Sequence, residues 1–265
     1  MIFDTHAHVF VQGLPLAQHC RYVPDYDATP ESYIAQLDRF GIDVGVLVQP
    51  SFLGTDNHYM LEALRRYPSR FRGVAVVDLN ITRFELDEMA KLGVIGIRLN
   101  LIGTELPNLA IPEWQILLGH IKALGWHVEL HRTASDLPNL IRELLKAEVK
   151  IVVDHFGLPS QEYKQNDPGF QFLLEHAASN KIWIKLSGAY RNGGAATAEQ
   201  NVASLIPLLL QHFDSSHLLW GSDWPHTRFE DTFSYQKAFN LLKHEIPDEG
   251  IRNKILSASA ELLIN

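Results

Sequence analysis

The chain has 265 residues, 46% of them apolar, and a formal net charge of -8 from 23 basic and 31 acidic side chains. Lys and Arg are scattered, so no electrostatic footprint for nucleic acid or an anionic membrane is expected, and a small-molecule partner fits better. The single cysteine, Cys20, excludes an internal disulfide framework, and the absence of a leader-like start or of an apolar run of about 18 residues predicts a soluble cytoplasmic protein.

Strand-like apolar runs and helix-period segments alternate in chain order. The first run, Ile2 to His8, ends in Asp4-Thr5-His6-Ala7-His8, where two histidines two apart share a face of a strand. Thr29 can cap a helix beginning at Pro30, with Ile34 and Leu37 at apolar spacing and Gly41 at its exit. Runs at Asp43 to Gln49 and Phe71 to Leu79 follow, then Thr82 and Glu85 in capping-box spacing with Gly93 beyond. Next come Val94 to Leu99, Trp126 to His131, a helix from Leu137-Pro138 behind Asp136 to about Ala147, and Val149 to Phe156. Asp167-Pro168 opens a helix to about Ser179, and Ile182 to Leu186 and His217 to Trp220 complete the strands. Helices are expected at Phe229 to Ile246 and Asp248 to Leu263, the second packing across the end of the sheet. The longest irregular pieces run from Gly13 to Thr29 and from Gly188 to Thr197, where specificity would reside.

Eight strand–helix units predict a (β/α)8 TIM barrel in one domain over residues 1–265, and no Gly-x-Gly-x-x-Gly follows the first strand to suggest a dinucleotide fold. A barrel demands polar residues at the carboxyl ends of its strands. They are there: His6 and His8, Gln49 and Ser51, Arg98 and Asn100, His131 and Arg132, Asp154 and His155, Lys185 and Ser187, Ser222 and Asp223. His6, His8, His131 and Asp223 offer three nitrogens and a carboxylate, a shell suited to one zinc-like divalent ion with a position left for water. His226 could cap a loop. His19, His58, His120, His127, His176, His212, His217 and His244 read as surface or satisfied core residues.

Asp4-Thr5-His6-Ala7-His8, Val153-Asp154-His155-Phe156-Gly157 and Trp220-Gly221-Ser222-Asp223-Trp224-Pro225 resemble the three signatures of the amidohydrolase superfamily, in its amidohydrolase-related (amidohydrolase 2) branch. The resemblance spans nearly the whole chain and implies a metal-dependent-hydrolase type of barrel. Within the branch the likeness is to lactone hydrolases, including pyrone-dicarboxylate and sugar-acid lactonases. It implies opening of the ester of a carboxylate- or hydroxyl-bearing lactone, with Asp223 taking a proton from a metal-activated water and His155 donating to the carbonyl oxygen. Members using the histidine after the fifth strand hold one zinc, which assigns that role to His131. The pyrone lactonase resembles this chain at His6, His8, His155 and Asp223 but carries a tyrosine in the place of His131 and works without metal, so a metal-independent lactonase is one alternative.

Arg98 and Arg191 fall where arginines of that enzyme clamp carboxylates, while Thr104 and Leu158 stand where it has further arginines. The substrate side is therefore assigned to Arg98, Arg191, Ser51 and Asn100, for a lactone with fewer carboxylates. Further alternatives are a zinc-dependent decarboxylase of aromatic or muconate-like acids and a catalytically silent binding protein. A homo-oligomer is compatible with the sequence.

Overall fold

The computed structural model describes residues 1–18 and 20–264, so the expectation for His19 lies outside the described residues. Its strands are β1 Phe3–Ala7, β2 Val44–Val48, β3 Phe71–Ala75, β4 Val94–Asn100, β5 His127–His131, β6 Lys150–Val153, β7 Ile182–Leu186 and β8 Leu218–Trp220. All pair in parallel in sequential order, β1 through β8. Closure is made beyond the last ladder: Ala7 bridges Trp224, the His8 amide donates to the Trp224 carbonyl at 2.8 Å, and the Asp223 amide to that of His6 at 2.8 Å. The Thr5 hydroxyl adds a bond to the Trp220 carbonyl. The first and last motifs are thereby stitched side by side.

The helices are α1 Pro30–Phe40, α2 His58–Arg66, α3 Arg83–Lys91, α4 Pro112–Ala123, α5 Leu137–Lys146, α6 Pro168–Glu175, α7 Ala198–Ala203, α8 Ile206–His212, α9 Tyr235–Glu245, α10 Glu249–Asn253 and α11 Ser259–Ile264. The expected caps form. Thr29 accepts from the Ser32 amide ahead of Pro30, Gly41 leaves α1 at φ 69°, and Thr82 and Glu85 satisfy each other's backbone amides. None of the helices in the described residues is long and apolar enough to cross a membrane.

Several expected runs are too long. Strands three and six end at Ala75 and Val153: past β3 the Val76 amide donates to Asn57 Oδ1 at 3.1 Å instead of to a strand, and past β6 His155 and Phe156 adopt φ of 50° and 60°, incompatible with a ladder. The segment expected from Phe229 becomes helical only at Tyr235, where Ser234 supplies the cap. The last expected helix is interrupted by a π turn at Lys254–Ala258, and the one from Pro168 ends at Glu175 with a 3-10 turn after it.

The barrel interior is graded along its axis. At the amino end Phe3, Val44, Val152, Trp183 and Leu219 pack against Ala260 and Leu263 of α11, which plugs that mouth. Above them stand buried charges: Glu129 of β5, Lys185 of β7 and Arg98 of β4. On β5, Val128 and Leu130 enter the helix-covered core while His127, Glu129 and His131 take the opposite face. The site lies at the carboxyl mouth.

Candidate active site

Six ionised side chains cross-link the upper barrel. Arg98 bonds Asp154 Oδ2 through Nε and Nη2 at 3.1 and 2.8 Å, with Nε 3.3 Å from Glu129 Oε1. Lys185 bonds Glu129 and lies 3.6 Å from Asp154 Oδ1. Arg191, on the loop after β7, donates from Nε to Asp223 Oδ2 at 2.6 Å. Three cations thus balance three carboxylates, which is what burial at this depth requires. Burial alone would raise the Asp154 and Asp223 pKa values, but Arg98 beside one and Arg191 beside the other hold both carboxyls well below the usual carboxylate range.

An arginine ending a buried strand needs an anionic partner, and Asp154 is that partner. The guanidinium ties β4 to the end of β6 through Nε and Nη2.

Asp223 is held so that its two oxygens differ. Oδ2 accepts from the Tyr190 hydroxyl at 2.6 Å and from Arg191, whereas Oδ1 has no hydrogen-bond partner. Oδ1 faces the His8 Nε2 at 3.6 Å and the His6 Nε2 at 3.7 Å. The His155 ring lies edge-on to His6, at 4.9 Å between centroids, with Nδ1 3.0 Å from the Ser187 hydroxyl and Nε2 unpartnered. Burial lowers the His155 pKa to about 4, the nearby Asp223 charge opposing this only in part, so the ring is neutral near pH 7. Asp223 and His155 both sit at positive φ, 59° and 50°, a conformation costing roughly 1–3 kcal/mol and usually retained at functional positions. Glycine makes the convergence possible: a Cβ on Gly188 would fall 2.7 Å from Asp223 Oδ2 and 2.8 Å from His155 Nδ1.

The donor set was tested for a cation. The His8 Nδ1 bonds the Val48 carbonyl at 2.7 Å, which can only accept, so Nε2 carries a lone pair. That lone pair and Asp223 Oδ1 are two acceptors 3.6 Å apart, an arrangement that a cation, or a water donating to both, would satisfy. His6, His155 and Asp223 offer ligand atoms within 4.8 Å of one another, as do His131, Asp154 and His155. Among the described residues no such group contains His8 or joins His131 to Asp223. His131 departs from the expected ligand set for a chemical reason. Arg98 Nη2 lies 3.2 Å from its Nδ1 and can only donate, which places the imidazole proton on Nε2 and removes the lone pair a metal would need there. His8 Nε2 and Asp223 Oδ1 are the acceptors that face each other, and His6, whose Nδ1 has the Lys185 ammonium at 3.0 Å, and His155 stand beside them.

A cleft of about 600 Å³ opens above these groups, lined among others by His131, Tyr190, Arg191, Leu158 and Arg21. Ser51 and Asn100 do not line it themselves, but each touches Arg21, which does. His226 is buried with both ring nitrogens unpartnered, beside Tyr190 and Phe233. Sequence reasoning gave no role to Glu129, Lys185, Tyr190 or Arg21. Glu129 did leave a signal, because His127, Glu129 and His131 alternate with Val128 and Leu130 on a strand otherwise read as wholly apolar. Tyr190 and Arg21 lie in the two long loops expected to carry specificity, but no local pattern singles them out within those loops.

The amidohydrolase family profile matches residues 3–263, and the 4-sulfomuconolactone hydrolase of Rhizobium radiobacter is 31% identical over 96% of this chain and 86% of its own length. The chain belongs to the amidohydrolase family. Another amidohydrolase relative, the 2-pyrone-4,6-dicarboxylate hydrolase of Comamonas testosteroni, is 29% identical over 96% of this chain and 86% of its own. Among solved structures, a probable 2-pyrone-4,6-dicarboxylic acid hydrolase from Acinetobacter baumannii, with citric acid bound, superposes with a TM-score of 0.96 at 38% identity, covering 99% of this chain and 98% of that one.

Proposed function

We propose that this amidohydrolase opens the ester ring of a carboxylate-bearing lactone by adding water across the acyl–oxygen bond. The observation that carries the reading is the asymmetry of Asp223: one oxygen is clamped by Tyr190 and Arg191, and the other is free and ionised at the barrel mouth. A carboxylate so held can take a proton from water and return it to the alkoxide that leaves. His155 is neutral, with Nδ1 3.0 Å from the Ser187 hydroxyl; in the tautomer that accepts from that hydroxyl its proton sits on Nε2, ready for the carbonyl oxygen as charge develops. The Nε2 proton of His131 is a further donor toward the cleft.

Three relatives support the substrate class, all bearing the names of lactone or pyrone hydrolases and one of them holding citric acid in its crystal structure. One divalent ion, zinc being suited to nitrogen and carboxylate donors, would be held by His8 Nε2 and Asp223 Oδ1 with His6 and His155 adjacent, and would polarise a carbonyl and lower a water's pKa toward about 7.

Proton release during ring opening, followed by pH-stat on a panel of carboxylated lactones, tests the reading. Turnover by the parent is expected, with Asp223→Asn losing about 10²- to 10⁴-fold in kcat. An undiminished Asp223→Asn variant would remove the carboxylate from the mechanism.

A further inference from the structure

Arg21 lies on the loop between β1 and α1, and its Nη2 donates to the Ser51 Oγ at 3.5 Å and to the Asn100 Oδ1 at 3.3 Å. These acceptors come from separate walls of the barrel: Asn100 ends β4 and Ser51 follows β2. Both are neutral. Among the described residues no carboxylate lies within ion-pair distance of this guanidinium, whereas Arg98, Arg191 and Arg228 are near enough to depress its pKa along with burial. An arginine on an unconstrained loop would extend into water, away from other cations. This one is drawn over the cleft by two hydrogen bonds, remains solvent-accessible, and faces a wall that also carries Arg191 and His131.

We propose that Arg21 is a specificity-determining residue, forming with the open edge of Arg191 an anion subsite that receives a substrate carboxylate remote from the ester being cleaved. The subsite deepens the lactone reading and rests on it for the reaction. Arg191 spends Nε on Asp223, leaving its terminal nitrogens, while Arg21 has a whole guanidinium edge beyond the Nη2 held by Ser51 and Asn100. A planar carboxylate meets such a fork through two parallel hydrogen bonds, which an ammonium cannot reproduce. Ser51 and Asn100 then act through Arg21: they are positioning residues that hold the fork over the cleft. Selectivity follows from charge. A lactone lacking the remote anion leaves Arg21 and Arg191 facing each other with nothing between, so anionic lactones are preferred over neutral ones.

The test compares the parent with Arg21→Met, Arg21→Lys and the double variant Ser51→Ala, Asn100→Ala on two readouts. One is the dissociation constant of glutarate, a plain dicarboxylate, by calorimetry. The other is kcat and KM for a carboxylated lactone and for the same lactone with its free carboxylate methylated. Arg21→Met should weaken glutarate by about 10- to 100-fold, the range of a charge-assisted hydrogen-bonded pair, and raise KM for the charged lactone similarly with kcat within about twofold. Arg21→Lys and the double variant should fall between, and the methylated lactone should show no change. Glutarate binding and KM unaffected by Arg21→Met, equal losses on charged and neutral lactones, or no glutarate binding by the parent would overturn the subsite. If the parent opened no lactone, the reaction reading would fall while the glutarate comparison still decided Arg21.

Discussion

Gly188 illustrates how closely the reacting groups are spaced. At φ 55° with Asp223 and His155 both under 3 Å from where its Cβ would be, Gly188→Ala must displace one of them. We expect kcat to fall at least about tenfold, with a stability loss of roughly 1–3 kcal/mol and an unchanged far-ultraviolet circular dichroism spectrum. The charge ladder beneath makes a different prediction. Lys185→Met removes the nearer of the two cations that face buried Glu129, leaving Arg98 alone beside it, and should cost about 3–5 kcal/mol in urea unfolding, part of which Glu129→Gln in the same chain should restore. Additive effects would show that the two do not interact. His6, His8, His155 and Asp223 were legible in the sequence because polar residues ending apolar runs have few packing roles. The tautomer of His131 was not, as it depends on a guanidinium 33 positions away in the chain.

Strands and helices followed their local chemistry where caps or β-branched runs defined them, as at Thr29, Thr82 and Ile182 to Leu186. Expectation and structure part where tertiary packing overrides it: the positive-φ turn after β6 cuts a run that hydrophobicity alone would extend, and α11 is set off by the π turn that lets it dock. That last helix gives an element-scale test. Leu263 is packed against the amino-end layer of Phe3, Val44 and Trp183, on the side of the barrel away from the cleft. Leu263→Ala should therefore destabilise by about 2–4 kcal/mol while leaving KM unaltered. A change in KM at full stability would contradict this division between the two ends.

The whole molecule concentrates its buried titratable groups at one mouth, and its acid stability should reflect that. Burial holds the folded His155 and His226 pKa values at about 4 against 6.5 when unfolded. The unfolded chain thus binds more protons between those values, so the contribution is complete above pH 6.5 and is lost as pH falls toward 4, on the order of 3 kcal/mol for each ring. Asp154 and Asp223, depressed below 3.8, lose theirs only at still lower pH. Urea midpoints taken from pH 7 to pH 5 should decline, and a flat or rising series would argue against neutral buried histidines. The barrel itself was legible from the alternation of strand and helix signals; its closure between the first and last motifs and the apolar-to-charged grading of its interior emerge only when strands distant in sequence face each other.

The most direct test of the central claim follows the oxygen. Ring opening by the purified protein in oxygen-18 water should place one label in the newly formed carboxyl group and none in the released hydroxyl, with no carbon dioxide evolved. Label in the hydroxyl, or carbon dioxide without ring opening, would contradict an Asp223-assisted attack of water on the lactone carbonyl.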